Sequence, residues 1–414
     1  MASSLPDNPS LPRLRDEARA LQRRVRAGDP DAVDAVRRHH PRPDRALAGE
    51  RAEFALHAAQ TAVARRYGFP GWPAVVAHLE AARPLTVDPS RIDESALEAP
   101  DLFCALAVLQ YSELDAPPRF ARAADMLSAA TELPNHTVWA AAAAADADAI
   151  GRHLRADAAL ADAKGGPLHW TPLMYLCYSR ATPQRSREET IAAATLLLDS
   201  GADADTGYLW RGMATPFTAL TGVFGEGEQG PRRQPRHPHA TELATLLLER
   251  GAHPVDHQSL YNRMFRPDDS HLELLFAHGL AAADPSPWER RLAGAMETRA
   301  QMWRRQVDWA ASHGFGARLD LLDRHGVDVS GARLAATEFL DDANARDPNA
   351  RDEDGATALH HAAWDGDLTR IEHLLAAGAD PTATDDRFDA TPQQWAEHAY
   401  QSEAAELLRR HCPR

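Results

Sequence analysis

Two glycines twelve residues apart, each closing a short segment with one apolar face, occur twice in the last third of this chain: Gly314 and Gly326, then Gly366 and Gly378. Within the second pair, Ile371, Leu374 and Leu375 fall at i, i+3 and i+4, the spacing of a helix with one buried side. Gly378 follows where a helix C-terminus favours a residue without a β-carbon. Upstream, Thr357 can cap a first helix whose apolar face begins at Leu359, and Ala362 and Ala363 are small enough for a neighbouring helix to approach. A lone helix pair of this size leaves apolar surface in water, so such units must stack on copies of themselves.

The copies are present. Thr391-Pro392 lies 34 residues after Thr357, and its partner segment ends in Leu407-Leu408. Thr171-Pro172-Leu173 pairs with Leu196 to Gly201, and Thr215-Pro216-Phe217 pairs with Leu246 to Gly251. Proline suits the first helical position, where its missing N–H has no partner to lose. Ser259 to Asn262 and Leu274 to Gly279 read as eroded first and second helices, and one irregular helix is expected around Leu334 to Ala343.

These units resemble ankyrin repeats, whose period is about 33 residues, from roughly Asn135 to His411. Only His360 keeps the histidine of the family's T-P-L-H, since the other copies read TPLM, TPFT and TPQQ. The chain is most similar to bacterial ankyrin proteins with an added N-terminal helical region. The resemblance implies an all-α ankyrin-repeat solenoid, a stack of helix-turn-helix units. Expected boundaries are a flexible terminus over 1–10, a helical region over 11–98, a helical pair over 99–134 and the repeat array over 135–414. Insertions interrupt the array near 180–189 and 222–239. In the N-terminal region three or four helices are expected over 11–82, one spanning Ala46 to Ala64, with Phe69 and Trp72 anchoring a turn. Gln393, Gln394, Arg409 and Arg410 suit a polar C-terminal cap.

A net charge of −15 argues against a nucleic-acid partner, which needs clustered positive charge. The ten arginines of the first fifty residues face eight acids, the pattern of a solvated helix face. Lys164 is the only lysine, a skew that fits a high-GC coding bias. Cys104, Cys177 and Cys412 have no paired spacing, no leader-like segment opens the chain, and no apolar run approaches the ~20 residues of a membrane span. A cytoplasmic, monomeric protein without a membrane partner is expected.

Gly225-Glu-Gly227-Glu-Gln-Gly230 matches GxGxxG, but its acids would repel phosphate and no strand precedes it, so a flexible surface loop is expected. His237, His239, His253 and His257 form the densest histidine group, without a thiolate or a helical H-x₃-H, so no metal site is expected. No nucleophile–base pattern stands out, so neither enzyme activity nor a cofactor is expected. In the family the turn tips and the exposed end of helix one line a concave groove. By that register the groove carries His169, Trp170, Tyr178, Trp210, Arg211, Trp364, Asp365 and Arg387, and aromatics with arginine supply much of the energy at protein interfaces. For Trp170 and Trp210 an equal reading is that they pack on adjacent turn tips and seal the stack between the two units with long insertions. The leading expectation is therefore an intracellular scaffold that binds another protein through this groove. The alternatives are a small-molecule pocket between the two insertions and Trp210, or an array that docks its own N-terminal helices.

Overall fold

The computed structural model describes residues 5–181, 185–332, 347–352 and 354–412. Leu334 to Ala343, where an irregular helix is expected, and residues 1–4 of the expected flexible terminus lie outside them. The chain is mostly helical, compatible with an all-α class. Among the described residues no helix is long and apolar enough to cross a membrane.

Helices Leu11–Arg26, Pro30–His39, Leu56–Arg66 and Trp72–Ala82 build an N-terminal bundle, with a short turn of helix at Pro43–Ala46. Its core joins Ala18, Val25, Val36, Phe54, Ala59 and Val63. The continuous helix expected over Ala46 to Ala64 is broken, because Phe54 turns inward and buries between two helical pieces. Residues 5–10 are docked rather than flexible: the Asn8 amide donates to the Arg211 carbonyl at 2.7 Å and its side chain to Asp88 at 2.7 Å.

Past the helices Ala99–Ala107 and Pro117–Ala129 come successive helix pairs. The first helices Val138–Ala143, Pro172–Tyr178, Ala219–Phe224 and His257–Arg263 pack one on the next, as do the second helices Ala147–Ala156, Arg187–Asp199 and Ala240–Glu249. Alanine at 140–144, 193–194 and 244 is fully buried at these contacts, where a larger side chain would hold the helices apart. Helices Ala358–Asp365, Leu368–Ala376, Pro392–His398 and Ser402–His411 form a C-terminal pair of units with its own core around Leu359, Ile371, Ala396 and Leu408.

The addition to the all-helical expectation is a small sheet. Strand β1 (Thr86–Val87) runs parallel to β2 (Gly207–Trp210), with Thr86 opposite Leu209, and β2 pairs antiparallel with β3 (Pro216–Thr218). The sheet fastens the N-terminal region to the helix pairs that follow. It also corrects the reading of Thr215-Pro216-Phe217 as a helix start: Pro216 and Phe217 are in β3, and the helix begins at Ala219, capped by the Thr218 side chain. Proline lacks a ladder donor and is tolerated there at an edge strand.

Candidate protein-binding face

The C-terminal units show how the local sequence sets the face. The His360 Nδ1 accepts from the Thr357 amide at 3.0 Å, and its Nε2 lies 3.0 Å from the Ala390 carbonyl of the next unit. Gln394 does half of this work in the last unit, its Oε1 accepting from the Thr391 amide at 2.7 Å. Between the two helix starts, buried Asp385 organises the turn. Its Oδ1 accepts from the amides of Arg387 at 2.8 Å and Phe388 at 2.6 Å, and its Oδ2 from Ala390 at 3.1 Å and the Trp395 indole at 2.9 Å. Burial disfavours the charge on Asp385, but these donors outweigh it and hold the carboxyl below its ordinary range.

The turn therefore projects Arg387 and Phe388. Phe388 is 64% exposed, and the Arg387 guanidinium sits 5.0 Å over its ring. On the same two units the Trp364 ring meets Trp395 edge-on at 5.8 Å and stacks on His398 at 5.7 Å, while His361 approaches Trp395 at 5.6 Å. Both tryptophans are half-buried, and His361 and His398 are exposed. Asp365 pairs with Arg266 at 3.2 Å, and Arg233 donates to the His398 carbonyl at 3.3 Å, tying these units to the middle of the chain.

The eight groove candidates separate. Trp364, Asp365 and Arg387 belong to the C-terminal units. Trp170 and Tyr178 do not stand exposed on an open protein-binding groove: both are buried, with Trp170 packed against Tyr175 at 5.6 Å, Tyr178 at 4.9 Å and Tyr208 at 4.7 Å. The Tyr178 hydroxyl donates to the Thr218 carbonyl at 2.9 Å. The reason is that β2 lays Tyr208 against Trp170 and Tyr178, and β3 brings the Thr218 carbonyl to the Tyr178 hydroxyl. Trp210 and Arg211 hold the N-terminal junction, the indole donating to the Gln110 carbonyl at 2.9 Å and the guanidinium pairing with Asp7 and Asp88, each at 3.2 Å. His169 is exposed at a separate place, beside Lys164.

The inner side of the middle units is covered by the chain itself. Tyr111 donates to the Thr221 carbonyl at 3.0 Å, and Gln234 to Asp115 at 3.4 Å. The Gly225 to Gly230 segment is not the flexible surface loop expected: Gly225, Glu226, Gly227 and Gly230 are buried. Gly225 takes a positive φ of 58°, and a β-carbon there would strike the Pro235 carbonyl. Glu226 pairs with buried Arg263 and with Arg236, and both arginines also meet Asp268. His237 and His239 rings lie 5.9 Å apart, while His257 sits between Glu289 and Glu297. Among the described residues no group of three or more His, Cys, Asp or Glu side chains is placed to hold a metal ion.

Sequence reasoning missed Phe388, Trp395 and His398. The available signal was Arg387-Phe388, an aromatic in a turn whose other positions are polar.

Residues 342–392, which include the first helix of this face and the turn bearing Phe388, match the family of ankyrin repeats (many copies). No curated protein matches the chain. The chain thus contains a stretch similar to ankyrin repeats, and that stretch supplies most of the candidate face.

Proposed function

We propose that this chain is an ankyrin solenoid acting inside the cell as an interaction scaffold, and that it binds its protein partner through the face formed by Trp364, Arg387, Phe388, Trp395 and His398. Ankyrin repeats generally mediate protein–protein interaction, which supports the class of function. The observation that carries the choice of surface is the 64% exposure of Phe388 beside Arg387. A large apolar ring left in water, in a turn whose Asp385 also holds the indole of half-buried Trp395, has the composition of an interface centre. The occupant is a segment of another protein that sets an apolar side chain against Phe388 and a carboxylate against Arg387. The reading contains no catalytic step.

A photo-crosslinking residue placed at position 388 in the native host identifies the partner, whose affinity is then measured with purified proteins. Phe388→Ala and Arg387→Ala are each expected to weaken binding by about tenfold or more, and Arg19→Ala on the far N-terminal helix to leave it unchanged. Equal affinity of all four proteins would sink the proposal.

A further inference from the structure

A cleft of about 550 Å³ lies away from the face just described, between residues 84–92 and the turn from Lys164 to Thr171. Its lining combines apolar Leu85, Val87, Ile92 and Met174 with Lys164, His169 and Trp170. Volume and mixed lining are those of a small-molecule site.

The charges at the cleft are unequally committed. Asp88, the acid in the lining, is already engaged by Asn8 at 2.7 Å, Ser90 at 2.6 Å and Arg211 at 3.2 Å, with Arg91 at 3.3 Å. Lys164, by contrast, has no carboxylate within ion-pairing distance among the described residues; burial and nearby Arg291 work against its charge, and Asp162, beyond that distance, offsets them only in part. A bound anion would relieve both effects. Trp170 supplies the second, independent feature: the residue is 2% exposed and its indole N–H, a donor only, has no hydrogen-bond partner. A buried donor left unmatched is unfavourable unless something fills its place.

We infer that this cleft binds a small organic carboxylate with an apolar ring or chain, its charge held by Lys164, its body against Val87, Ile92 and Met174, and Trp170 offering the inner donor. An ammonium is a compact point charge suited to a monoanion, whereas a phosphate site draws on guanidinium forks and rows of backbone amides. The site is independent of partner binding at Phe388.

Because Lys164 is the only lysine, reductive ¹³C-methylation gives one side-chain signal, distinct from that of the α-amine. Benzoate is the probe, with benzyl alcohol and inorganic phosphate as comparisons. Benzoate is expected to move the Lys164 signal saturably, and calorimetry to give an affinity about tenfold weaker in Lys164→Gln and in Ile92→Glu. Both substitutions fall on residues that are not fully buried, and unchanged far-ultraviolet dichroism verifies the fold. Benzyl alcohol should bind at least about tenfold more weakly than benzoate. The inference is overturned by a Lys164 signal that stays still up to the solubility limit. It is equally overturned by benzoate affinity that survives both substitutions, or by phosphate shifting the signal as strongly as benzoate.

Discussion

The Nε of Arg180 donates to the main-chain carbonyl of Pro235 at 2.6 Å, joining the end of helix Pro172–Tyr178 to the segment that follows helix Ala219–Phe224. The same guanidinium donates to the carbonyls of Gly222 at 2.6 Å, Ser179 at 2.8 Å and Cys177 at 3.2 Å. Burial lowers its pKa to about 10, so it remains a cation at neutral pH. Four carbonyls thus depend on one buried side chain. Arg180→Met keeps the aliphatic stem but strands them, at a cost of ~3 kcal/mol or more. Urea unfolding measures the loss, and amide exchange should quicken first over 222–239. A variant within about 1 kcal/mol of wild type would refute this role.

Glu226 makes the second anchor. It is 4% exposed and pairs with Arg263, itself 1% exposed. Glu226→Gln leaves the Arg263 cation with only the more distant Asp268 at 3.1 Å, and breaking one side of a buried pair typically costs ~3–5 kcal/mol. Replacing Glu226 with Gln and Arg263 with Met together should recover a good part of that loss, since no charge is then left buried. Thermal unfolding of wild type and these two variants decides it; a double variant less stable than Glu226→Gln would count against the pair.

The difference between what the sequence revealed and what it concealed is one of range. Thr357, Gly366 and Gly378 act through their own backbone, so the helix boundaries they set were legible locally. The same holds for the helix that starts at Pro172, but not for the one after Thr215-Pro216, which begins only at Ala219. Glu226 was misjudged because its partner Arg263 lies 37 residues away and nothing local signals a buried acid. Trp170 stays open between groove and packing in the sequence because an aromatic at a turn tip looks alike whether solvent or Tyr208 covers it, and the covering strand depends on a two-residue β1 from another region. At the C-terminal face Trp364 and Arg387 followed from repeat register, while Trp395 and Phe388 depend on how Asp385 folds the intervening turn.

Asp205 gives stability a pH dependence. Burial, reinforced by Asp256 and Asp203, pushes its carboxyl up to about 7, and its Oδ2 has no hydrogen-bond partner. A carboxyl with a raised folded-state pKa favours folding fully below its unfolded value of about 4, and that contribution is lost as pH rises through the folded value. Asp205→Asn cannot ionise and keeps an oxygen for the His253 amide, which donates to Oδ1 at 3.1 Å. The stability of the variant relative to wild type should therefore grow between about pH 4 and pH 7 and level off above, reaching ~2 kcal/mol after allowance for partial exposure. Urea midpoints across that range test it, and parallel curves would show that Asp205 titrates normally.

Trp170 and Phe388 should respond in opposite ways to truncation. Trp170 is 2% exposed within a cluster of three tyrosines, so Trp170→Ala opens a cavity and is expected to cost ~3–5 kcal/mol. Any partner lost by that variant is lost through unfolding of the middle units, which denaturation and amide exchange over Pro172–Tyr178 would reveal. Phe388 is 64% exposed, and its turn is held by Asp385 through main-chain amides that the substitution leaves in place. Phe388→Ala should change stability by no more than about 0.5 kcal/mol while weakening partner binding. Had Trp170 been the binding residue, the pattern would be the reverse, with a stable Trp170→Ala protein that no longer binds. Measuring unfolding and affinity on the same two purified variants separates a core residue from a contact residue.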